Sequence, residues 1–121
     1  MENYITDLIG KILTKIDNAG DEIIFTCDDG TRFKMYHSQD CCESVRVEDI
    51  AGDLDNLIGA PITMAREDTS EKNPAEITKE YQDDSFTWTF YNLGTRKGYV
   101  TIRWYGESNG YYSERVDFVK L

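Results

Sequence analysis

The sequence predicts a mainly β (α+β) single domain, built of antiparallel sheets with one or two short helices. Three observations point there. The chain has 121 residues, 40% hydrophobic and 30% charged, which is the size and balance of one globular domain. Apolar and polar residues alternate at period two through most of the chain. Clusters of Gly, Asn and Asp separate the alternating runs, as turns do between strands.

Each element follows in order. Ile12, Thr14 and Ile16 alternate with Leu13 and Lys15 ahead of a turn at 17–21. Ile23, Phe25 and Cys27 then alternate with Ile24 and Thr26, and Asp28-Asp29-Gly30 closes a hairpin onto Phe33, Met35 and His37. Residues 45–48 read as a short strand. Residues 49–59 read as one or two helical turns, with Asp53 as N-cap and Gly59 as stop. A strand resumes over 61–65. Residues 66–84 are polar and charged, and are expected to form a mobile acidic loop.

The C-terminal part, 85–121, is expected to be an antiparallel meander of three strands at 85–92, 99–105 and 111–119. Alternation puts Phe86, Trp88, Phe90, Val100, Ile102, Trp104, Val116 and Phe118 on its buried face. Thr87, Thr89, Tyr91, Tyr99, Thr101, Arg103, Tyr105, Ser113, Arg115 and Asp117 then share the wet face. There is also a possible internal half-repeat. Asp7-Leu8-Ile9-Gly10 before a strand matches Asn56-Leu57-Ile58-Gly59 before a strand, and Gly30-Thr31-Arg32 echoes Gly94-Thr95-Arg96.

Charge narrows the function. The formal net charge is −10, which disfavours nucleic acid, whose phosphates need a basic surface, and an anionic membrane surface equally. The charge is uneven: residues 37–84 carry thirteen acids against four bases, whereas 85–121 carry three acids against five bases. Both tryptophans and most of the tyrosines fall in that basic last part, so a small anionic ligand is admissible where a long polyanion is not. No apolar run reaches the length of a spanning helix, and the first residues lack the basic start of a signal peptide. Three cysteines, two of them adjacent, are expected to be reduced thiols of a cytoplasmic protein.

No motif demands an enzyme. Residues 36–43 (Tyr-His-Ser-Gln-Asp-Cys-Cys-Glu) hold metal-ligating types, but a single histidine and adjacent cysteines do not supply a tetrahedral set. No metal and no cofactor is expected. Gly94-Thr95-Arg96-Lys97-Gly98 reads as a hairpin turn without the following helix of a phosphate-binding loop, though Arg96 can point at an anion. The candidate ligand-binding residues lie on the wet face and its turn. Arg103 and Arg115 would meet a phosphate, Tyr91, Tyr99 and Tyr105 would stack a base, and Asn92 would read its edge, with Arg96 nearby.

Residues 87–93 (Thr-Trp-Thr-Phe-Tyr-Asn-Leu), 98–113 and 36–45 resemble a family of small phage and prophage proteins, similar to the Thoeris anti-defence sponge proteins. The resemblance covers most of 36–65 and 85–117. It implies a homo-oligomer in the host cytoplasm that sequesters a cyclic ADP-ribose derivative without degrading it. The residues alone leave an alternative open, an acidic interaction protein or nucleic-acid mimic that inhibits a host defence protein.

Overall fold

The structure is a computed structural model that describes residues 3–39, 42–70, 85–108 and 113–121. Among the described residues, eight strands form two four-stranded antiparallel sheets around one core. A 3-10 turn at Ile5–Leu8 leads into β1 (Leu13–Asn18), β2 (Glu22–Cys27), β3 (Arg32–Tyr36) and β4 (Ser44–Ala51). A second 3-10 turn at Leu54–Leu57 leads into β5 (Met64–Ser70), β6 (Ser85–Thr95), β7 (Gly98–Ser108) and β8 (Asp117–Lys120). The first sheet runs β1-β2-β3-β8 and the second β4-β7-β6-β5.

The period-two pattern explains what is buried. Ile23, Phe25 and Cys27 on β2 and Phe33 and Met35 on β3 point inward, against Leu93, Val100, Ile102 and Trp104 of the second sheet. Trp104 Nε1 donates to Met35 Sδ at 3.0 Å and so ties the two sheets across the core. The first sheet closes with Phe118 of β8 stacked on Phe33 of β3 at 5.3 Å.

Several expectations need correction. The expected short helices stand among the described residues as the two 3-10 turns, the second shorter than 49–59, and Asp53 caps it as expected by accepting from the Asp55 amide at 2.9 Å. Residues 49–51 extend β4 because they pair with 101–103 of β7. Residues 66–70 are not loop but part of β5, paired with 88–92; the rest of the expected loop, 71–84, lies outside the described residues. The three-stranded C-terminal meander does not form. β7 has β6 and β4 as neighbours, so its second edge is taken by β4 and the last strand joins β3 instead.

The Leu-Ile-Gly echo falls at corresponding places, each following its 3-10 turn, with Gly10 and Gly59 both at positive φ. Each half is then a three-strand meander whose fourth strand crosses over: β4 pairs with β7, and β8 with β3. The two halves also meet where Gly10 N donates to Ile62 O and Gly59 N donates to Leu13 O. The second echo does not correspond: Gly30 sits in a turn, whereas Gly94 lies within β6.

Candidate functional site

The register of the β6–β7 hairpin decides which side chains share a face. Thr95 pairs with Gly98 across a two-residue turn, so every odd position of β6 stands opposite an even position of β7. Tyr91 therefore faces with Ile102 into the core, while Trp88 pairs with Tyr105 and Phe90 with Arg103 on the outer face. The expected faces of β6 are thus exchanged: Phe86, Trp88 and Phe90 lie with Tyr99, Thr101, Arg103 and Tyr105. Alternation alone cannot see this, since a strand with apolar residues on both faces takes its facing from its turn.

The outer face holds an aromatic and guanidinium cluster. The Trp88 and Tyr105 rings stand 4.7 Å apart, and Phe86 adds a third ring 6.2 Å from Tyr105. Arg103 lies 5.2 Å over Trp88 and Arg46 lies 5.4 Å over Tyr105, distances at which a cation is drawn to a ring face. A bulge between Val47 and Asp49 of β4 brings Asp49 opposite Arg103, where Arg103 Nη2 meets its Oδ2 at 3.5 Å. Trp88 and Tyr105 are only 2% exposed and form the floor of the face. Toward the turn, Thr101 Oγ1 donates to Asn92 Oδ1 at 2.7 Å. One row further, Tyr99 lies across Gly94, with ring carbons 2.4 and 2.6 Å from where a Cβ would stand. Tyr99 is 69% exposed, so its other ring face is open.

Of the residues nominated from sequence, Asn92, Tyr99, Arg103 and Tyr105 come together on this face. Tyr91 does not: it is buried in the core, its hydroxyl donating to Glu67 Oε1 at 3.1 Å. Arg115 does not either. It lies just before β8, in the other sheet's sequence, and its Nε is 3.9 Å from Asp117. Arg96 sits at the exposed turn, away from the cluster's rows, and neighbouring Lys97 is held by the Ile58 carbonyl at 2.7 Å. Trp88, Phe86 and Arg46 belong to the face and were missed; the two-residue turn was the signal for Trp88 and Phe86, whereas Arg46 arrives through the pairing of β4 with β7, opposite Tyr105.

Of residues 36–43, Asp40 and Cys41 lie outside the described residues. His37 Nδ1 donates to the Arg115 carbonyl at 2.6 Å, and Nε2 lies 3.7 Å from Glu43 Oε2, both side chains being buried. Among the described residues, no group of three or more His, Cys, Asp or Glu side chains converges as a metal site would. The expectation of reduced thiols holds for Cys27, which is free and in the core, but not for the exposed Cys42, which is disulfide-bonded. Burial in the core raises the Cys27 thiol pKa, with Asp29 adding to the shift.

No characterised protein and no solved structure matches the chain at a significant level. One family model does, over residues 6–118, and it carries the description "Domain of unknown function (DUF7448)". That match spans nearly the whole sandwich, from the first 3-10 turn to β8, and the chain belongs to this family.

Proposed function

We propose that the protein is a non-catalytic binding protein that sequesters, without cleaving it, a small signalling nucleotide of the cyclic ADP-ribose type. As a phage anti-defence factor it would thereby block TIR-based (Thoeris) immunity in the host cytoplasm. The observation that carries this reading is the order of side chains along β7. Tyr99, Thr101 and Arg103 stand on one face, so that an open ring, a polar pair with Asn92 and a cation follow one another. Alternate residues of an antiparallel strand are about 6.8 Å apart. The row therefore runs in the sequence base, sugar, phosphate over about 14 Å. Arg46 supplies a second guanidinium beyond Tyr105, in the role first assigned to Arg115.

The test is retention and release. Protein incubated with glycocyclic ADP-ribose and freed of excess should yield the intact compound on heat denaturation. A cleaved product would make the protein an enzyme, and no retention would sink the reading. Arg103→Ala and Tyr99→Ala should each weaken binding by about tenfold, whereas Arg115→Ala should not. Salt-sensitive binding to a basic nuclease, with no nucleotide retained, would favour the acidic mimic instead.

A further inference from the structure

The side of the second sheet that faces the sandwich interior changes character along its strands. At one end Ala65, Leu93, Ile102 and Trp104 enter the shared core. The same inward rows continue as Glu67 and Thr69 on β5, paired with Tyr91 and Thr89 on β6. The segment 113–116 crosses this polar end and borders an open cleft of about 250 Å³, lined by side chains of β5, β6 and the segment itself. Gly106 of β7 permits the crossing, since a Cβ there would lie 2.9 Å from the Glu114 carbonyl oxygen and 3.0 Å from its Cβ.

The carboxylates around the cavity are held in place by neutral donors. Glu114 accepts from Thr87 Oγ1 at 2.8 Å and from Ser108 Oγ at 2.6 Å. Glu67 accepts from the Tyr91 hydroxyl, whose pKa is pushed well up, by burial first and then by the Glu67 charge, so that it stays a donor. A carboxylate has about four acceptor sites, so these bonds occupy two on Glu114 and one on Glu67 and do not exhaust either group. The Thr69, Thr89 and Ser113 hydroxyls lining the same space can both donate and accept, Arg115 donates only, and Val116 offers an apolar wall.

We propose that this cleft, distinct from the outer face, binds a monosaccharide ring. A ligand meeting carboxylates, hydroxyls and one guanidinium together must itself both donate and accept at several points while carrying little charge. A polyol does this. An ammonium ion would find the acceptors but meet the Arg115 charge, and an anion would meet two carboxylates.

The test is a titration of the ¹⁵N-labelled full chain with D-ribose and with D-glucose, followed by amide chemical shifts. Saturable shifts at Thr69, Thr89 and Ser113, with a dissociation constant in the millimolar range, are expected for at least one sugar; a response to one alone tells which of the two the cleft accommodates. Thr69→Val and Glu67→Gln, both at exposed positions, should each weaken that response by about fivefold or more while the amide spectrum stays dispersed. Shifts absent with both sugars, or unchanged affinity in both variants, would overturn the proposal. Shifts confined to Thr101 and Arg103 would also overturn it, while leaving the outer-face reading in place.

Discussion

Asp29 sits in the turn between β2 and β3, where Lys11 Nζ reaches its Oδ2 at 2.9 Å and the Thr31 amide donates to Oδ1 at 2.9 Å. The hydrogen bond from Lys11, followed by those from Thr31, holds this carboxyl well below its ordinary 3.8. Because the folded pKa is depressed, the stabilisation is complete above the unfolded pKa and fades as pH falls through the folded one. The pair is exposed, so the effect on overall stability is small and screened by salt. Following the Asp29 carboxyl carbon by NMR should show titration below the usual carboxylate range, and Lys11→Met should move the midpoint upward. An unmoved midpoint would mean that Lys11 does not hold the group. The turn itself was legible from Asp28-Asp29-Gly30, whereas the cation arriving from eighteen residues away was not.

The β6–β7 hairpin owes its register to a turn that is anchored from outside. Thr95 Oγ1 donates to the Asn56 carbonyl in the second 3-10 turn and accepts from the Lys97 amide at 3.1 Å, while Lys97 Nζ reaches the Ile58 carbonyl. Thr95 is buried, so Thr95→Val removes both bonds and leaves the Asn56 carbonyl without this donor. A loss of about 1–3 kcal/mol is expected in chemical denaturation, and a change within error would show that the anchor is dispensable. The same register explains why the candidate site was only half legible. Tyr99, Arg103 and Tyr105 fall on one strand, so alternation sufficed to group them. Joining β6 to them required knowing that 95 pairs with 98, which exchanged Tyr91 for Trp88 and Phe90.

At the scale of the molecule, each half donates its fourth strand to the other half's sheet, β4 to β7 and β8 to β3. Neither half can therefore complete a four-stranded sheet from its own residues. Fragments 1–52 and 53–121, expressed separately, should each lack a dispersed amide spectrum and regain one on mixing. A folded monomeric spectrum from either fragment alone would refute the exchange as a source of cooperativity. Period two, the turn glycines and the Leu-Ile-Gly echo encode the strands, the inward residues of β2, β3 and β7 and the doubling, because all of these are set by neighbours a few residues apart, whereas the facing of β6 is not. The partners of β7 and β8, the bulge that turns Asp49 toward Arg103, and the placing of Arg115 beside a strand that joins β3 instead of β7 depend on contacts between distant segments. Those contacts are chosen by the joint burial of two sheets against one core, a condition that no local pattern contains.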